Sequence, residues 1–208
     1  MRQVLFALLL LFGLHSNAAD LGNQFVTARL AYGVSVSIPR SWQVLRGNEK
    51  KAVETIVGAT VDLSGYTKLV QGSEIIISAN FPDPTLYAGL SITSIPIRNM
   101  TPSFASSLSD SQLKSGETST RQAIETGQSQ LGIKVFGWTP MRKMNLGPNA
   151  VLYTSYMRNS TAGDTRVHMY KFFARGRVFD VMLSTRVAVE QANRPILKRI
   201  VQSVVVPR

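Results

Sequence analysis

Cysteine does not occur anywhere in these 208 residues. Its absence excludes a disulfide scaffold, a CxxC redox centre, a thiolate zinc site, a cysteine nucleophile and a lipid anchor carried on cysteine, since each needs a sulfur. Histidine is scarce as well, His15 and His168 being the two present. One or two imidazoles among scattered carboxylates do not make a transition-metal site, so no metal is expected. P-loop, GxGxxG, HExxH, EF-hand and GxSxG patterns are all missing, and no cofactor is expected either. The remaining composition, 44% hydrophobic and 17% charged, suits one globular domain with a sizeable core. It excludes a coiled coil, a collagenous rod and a disordered chain.

Long apolar runs are absent except at the start. Arg2 supplies a positive n-region, Val4 to Leu14 an apolar stretch, and Ser16-Asn17-Ala18-Ala19 small residues suited to cleavage after Ala18 or Ala19. The stretch is shorter than the roughly 20 residues that span a bilayer. A signal peptide over 1–19 is expected, with one mature domain over 20–208 that lacks a transmembrane segment. The mature chain then belongs in the periplasm or outside the cell.

Charge is strongly asymmetric. Residues 20–131 balance nine basic against nine acidic side chains, whereas 132–208 hold thirteen basic residues and only Asp164, Asp180 and Glu190. The whole mature positive excess therefore lies in the last part of the chain. Such a field attracts an anionic envelope component or an acidic protein partner. Nucleic acid is disfavoured as a partner: export separates the chain from most of it, and no helix-turn-helix or RNA-binding signature accompanies the charge.

The periodicity predicts a mixed fold. Leu30 to Ile38 alternates as a strand ended by Pro39, and Asn48 caps an expected helix to about Val61. Glu74 to Phe81 and Leu90 to Ile97 read as strands. Thr101-Pro102 starts a polar stretch to Gln130, expected as one or two surface helices broken near Gly116. Four strands follow, Ile133 to Met144, Ala150 to Arg158, Arg166 to Ala174 and Val178 to Arg186, with connections short enough to impose antiparallel hairpins. A last amphipathic helix is expected to enter at Asn193-Arg194-Pro195, with Ile196, Ile200, Val201 and Val204 on one side.

Tyr32-Gly33-Val34-Ser35-Val36-Ser37-Ile38-Pro39-Arg40-Ser41-Trp42, an aromatic-led strand ending in Pro-x-x-Trp, resembles the first hairpin of the PsbP-like group. That group takes in the photosystem II extrinsic PsbP proteins, the Ran-binding Mog proteins and the bacterial DcrB-type envelope proteins. The hairpin series closed by a helix ending Ile200-Val201-Gln202-Ser203-Val204 is similar to the end of the same group. The resemblance implies an α+β fold, an antiparallel β-sheet flanked by helices on both faces, and a non-enzymatic binding or assembly role. It does not carry a partner over: there is no lipobox cysteine, no plastid transit pattern, and export argues against a nuclear Ran partner.

Catalytic constellations are thin. His168 with Asp164 or Asp180 and a serine makes a triad only on paper, without an elbow to place the nucleophile. Ser111-Gln112-Leu113-Lys114 matches SxxK but lacks its companion motifs. The expected function is binding through a basic surface formed by Arg142, Lys143, Arg158, Arg166, Arg175 and Arg177, clustered at one edge of the sheet, with Trp138 as an adjoining platform. An envelope-polymer hydrolase and a structural subunit of a larger envelope assembly are the alternatives; the first requires a cleft holding His168 or two close carboxylates, the second an exposed apolar patch.

Overall fold

The computed structural model of the chain describes residues 24–45, 73–160 and 163–207. The expected signal peptide over 1–19 and the expected helix over 48–61 lie outside the described residues.

The four expected C-terminal strands become a meander. β8 (Asn149–Arg158), β9 (Thr165–Ala174) and β10 (Arg177–Arg186) pair antiparallel along nearly their whole lengths. The first expected strand splits into β6 (Val135–Phe136) and β7 (Arg142–Leu146), both paired to β8. Pro140 and the positive φ of Gly137, 60°, interrupt it. Between β9 and β10 the two-residue turn needs Gly176, whose φ of 70° favours a residue without Cβ.

On the other side, β10 pairs with β5 (Ala88–Pro96), which continues to β4 (Glu74–Asn80) and β3 (Gln43–Val44). The result is an eight-stranded antiparallel sheet with β10 near its centre. A separate hairpin of β1 (Phe25–Arg29) and β2 (Ser35–Pro39) lies apart from it. Leu30 to Val34 do not continue β2 but form a tight turn at residues 31–33, in which Tyr32 takes a positive φ of 58°.

Both sheet faces carry apolar side chains covered by other elements. One face carries Phe179, Val181 and Leu183 of β10, Phe172 of β9 and Leu90 and Ile92 of β5. The β1–β2 hairpin and α3 (Glu190–Gln202) cover it, the latter through Leu197, Ile200 and Val201. Helix α3 begins earlier than Asn193: a 3₁₀ turn over Val187–Val189 leads into it, so Pro195 falls inside the helix and forfeits one backbone hydrogen bond.

The opposite face carries Val178, Met182, Phe173 and Met169, covered by α1 (Phe104–Ser107) and α2 (Asp110–Gln130). The break in this polar stretch comes at Leu108–Ser109, not near Gly116. Ser109 caps α2 by accepting from the Gln112 amide, while Gln112 accepts from the Ser109 amide, a reciprocal box that sets the start. Gly116 is carried within 21 helical residues. The architecture is thus the α+β sheet with helices on both faces. Among the described residues, no helix is long and apolar enough to cross a membrane.

Candidate functional site

Side chains directly opposite one another in an antiparallel sheet share a face. Arg142 of β7, Tyr153 of β8 and Tyr170 of β9 lie in one such row, on the face of Phe172 and Phe179. Two residues along β9 stands His168, and two further stands Arg166. Alternation therefore assembles one strip from three strands, one end of it beside Glu190 in the first turn of α3.

The contacts within the strip are continuous. The Arg142 guanidinium lies 5.1 Å from the Tyr153 ring centroid, and the Tyr153 and Tyr170 rings are 4.9 Å apart. Tyr153 Oη and His168 Nδ1 share a hydrogen bond of 2.9 Å. Glu190, at the start of α3 where an acid suits the helix dipole, faces Arg166 Nε at 3.5 Å. It reaches His168 Nε2 only at 3.9 Å, which is a charge contact and not a hydrogen bond. The Tyr–His–Glu line is consequently not a proton relay. What it offers is flat rings flanked by cations, the half-buried Tyr153, Tyr170 and Arg166 beside the exposed Arg142 and Arg194.

Burial raises the Tyr170 phenol to about 12, with the adjoining Tyr153 adding to the effect. The ring is therefore a neutral hydrogen-bonding group at physiological pH. For His168, burial lowers the pKa below the ordinary 6.5; Glu190 opposes this while Arg166 and Arg194 reinforce it. A base whose folded pKa is depressed binds fewer protons folded than unfolded, so stability is fully present above 6.5 and is lost as pH falls through the lowered value. The urea midpoint of the wild type is expected to decline more steeply than that of His168→Gln between pH 6.5 and 5. Parallel declines in the two proteins would show that His168 is not the group responsible.

The six expected basic residues do not gather at one edge. Alternation places Arg142, Arg166 and Arg177 on one face and Lys143 and Arg158 on the other, with Arg175 exposed in the β9–β10 turn. Only Arg142 and Arg166 share the strip. Arg177, at the far end of β10, stacks over Tyr32 at 3.4 Å and donates to Ser94 Oγ at 2.6 Å. Lys143 donates to the Ser106 carbonyl at 3.4 Å and to that of Leu108, closing the end of α1. Arg158 lines a small cavity of about 220 Å³ with Tyr156 and Gln128.

Trp138 is not an open platform. Its ring packs against Tyr156 at 4.7 Å between centroids, its Nε1 donates to Glu125 of α2 at 2.9 Å, and Arg121 lies 5.8 Å above it. It fastens α2 to the sheet. Trp42 is buried in the core of the other face. Sequence reasoning did not single out Glu190 or Arg194. Their one local signal is a charged helix start following directly on a strand, which does not say which strand row that start will face.

No family model matches the chain, and no curated protein matches it. Among solved structures it is similar to the cyanobacterial PsbP protein CyanoP of Synechocystis sp. PCC 6803, at 12% identity, 88% coverage of this chain, 92% of that chain and a TM-score of 0.51. It is less similar to LpqN of Mycobacterium tuberculosis, described as involved in cell envelope biogenesis, at 10% identity, 93% and 98% coverage and a TM-score of 0.45. A Pseudomonas aeruginosa protein of unknown function follows at 17% identity, 89% and 98% coverage and a TM-score of 0.40. The likeness to CyanoP is one of fold alone.

Proposed function

We propose that this PsbP-like fold, as a single mature domain over 20–208, is an exported, non-enzymatic binding protein of the cell envelope that takes an anionic envelope component on its aromatic and basic strip. The observation that supports this reading is the strip Arg142, Tyr153, Tyr170, His168 and Arg166, in which Arg142 lies over the Tyr153 ring at one end, Arg166 faces Glu190 at the other, and the rings run between them. Guanidinium forks match phosphate and carboxylate oxygens, and rings with little freedom to lose add contact area cheaply. The surplus of bases after residue 131 brings an anion toward this half of the molecule by its summed field.

Sedimentation with vesicles of phosphatidylglycerol and phosphatidylcholine, against phosphatidylcholine alone, tests it. At about 1 kcal/mol per basic group near an anionic surface, Arg142→Ser with Arg166→Ser is expected to weaken binding to the anionic vesicles roughly tenfold or more. Arg175→Ser with Lys198→Ser removes the same formal charge from exposed positions off the strip and is expected to cost much less. Equal losses from the two pairs would mean that net charge alone acts, and the strip would lose its role.

A further inference from the structure

On the other face of the sheet, the last turns of α2 are packed through Ile124, but a space remains beside its earlier turns, lined on the helix by Gly116, Ser119, Thr120 and Ala123. The space left between helix and sheet has a volume of about 650 Å³, in the range of roughly 300–1,000 Å³ typical of small-molecule sites. Its walls are mainly apolar, with Leu113 and Phe104 on the helical side and Leu152, Met169, Phe173 and Val178 below.

One polar row crosses this floor. Thr93, Asp180 and Lys171 are direct neighbours on β5, β10 and β9 and all border the cavity. Lys171 Nζ donates to both carboxylate oxygens of Asp180, at 2.9 and 2.8 Å. An ammonium carries three donors, so one is left over. Beside the pair stands Thr93, 3% exposed, whose hydroxyl is itself closed off from solvent.

We infer that this cavity binds a neutral amphiphile, an apolar chain ending in a hydroxyl, with its head on the Asp180–Lys171 pair. The charges of the pair cancel, so an anionic head meets Asp180 and a cationic head meets Lys171, each at a desolvation cost a hydroxyl does not incur. A hydroxyl both donates and accepts, which fits a pair offering an ammonium proton and carboxylate lone pairs. The chain fills the space above Leu152 and Phe173, and the exposed Arg98, Asn99, Ser115 and Gly116 form the rim by which it enters. This site lies on the face opposite the aromatic strip and stands independently of it.

Nile red displacement by 1-dodecanol, dodecanoate and dodecylamine tests the assignment on the mature protein. The alcohol is expected to displace the dye at least tenfold more effectively than either charged analogue. Gly116→Leu is the informative variant, because a Cβ at Gly116 meets nothing within 4 Å and leucine is a far better helix former than glycine. It is expected to keep or raise the melting temperature while weakening dodecanol at least tenfold. No displacement by dodecanol from the wild type, unchanged affinity in Gly116→Leu, or tighter binding of dodecanoate would each overturn the inference.

Discussion

Phe179→Ala is expected to destabilise the protein by about 3–5 kcal/mol, read as a lowered urea midpoint at unchanged m-value. Phe179 is fully buried in β10, with Phe172 directly opposite on β9 and Ser94 on β5. It belongs to a cluster of buried residues that joins the sheet, the β1–β2 hairpin and α3, and close-packed neighbours relax only partly into the space a ring leaves. A domain stable by roughly 5–15 kcal/mol loses much of its margin by this change. Phe179→Leu keeps most of the volume and should cost under about 1.5 kcal/mol. A loss below about 1 kcal/mol for the alanine variant would mean that hairpin and helix close over the gap, contrary to a rigid core.

The second large effect is asymmetric. The side chains of Lys171 and Asp180 are 22% and 15% exposed, so removing one leaves the other charged in a mostly dry place. Lys171→Met is expected to cost about 2 kcal/mol, less than a fully buried pair because water still reaches both groups. Lys171→Met combined with Asp180→Leu should recover most of that loss, since two apolar groups remove the uncompensated charge along with the pair. Urea denaturation of the two single variants and the double variant measures the coupling. Simple additivity of the two single losses would show that the groups do not act on each other. The double variant also removes the charged pair from the floor of the mainly apolar cavity.

Much of the fold was legible locally. The alternation of Phe179, Val181 and Leu183 against Val178, Asp180 and Met182 announces a strand buried on both faces, and Gly147-Pro148 and Arg175-Gly176 announce the hairpins around β8, β9 and β10. The resemblance around Tyr32 to Trp42 was one of fold, and the fold is what it delivered. The site was legible only as residue types. Arg142 and Arg166 were both among the candidates, yet so were Lys143 and Arg158, and a step of one residue along a strand sends a side chain to the other face. Breaks were less readable than elements: Ser109, with Gln112 three residues on, outweighed Gly116 as the place where a helix begins, because two satisfied amides at a terminus count for more than one glycine inside a long helix.

Composition and spacing by themselves determined that this chain has no thiol chemistry, that its net positive charge after residue 19 lies in its last part, and that its C-terminal strands pair with their neighbours. These follow from residue counts or from interactions within a few positions. Tertiary structure alone decided that β10 pairs with β5, bringing Arg177 to Ser94 across 83 residues, and that Glu190 faces β9. It alone decided which two of the candidate arginines share a row of rings, and that the short side chains of α2 stand over Thr93, Asp180 and Lys171. The reason is that the hydrophobic effect rewards burial without naming a partner. Which strand lies beside which, and where a helix comes to rest, is settled only when all the apolar faces are covered at once.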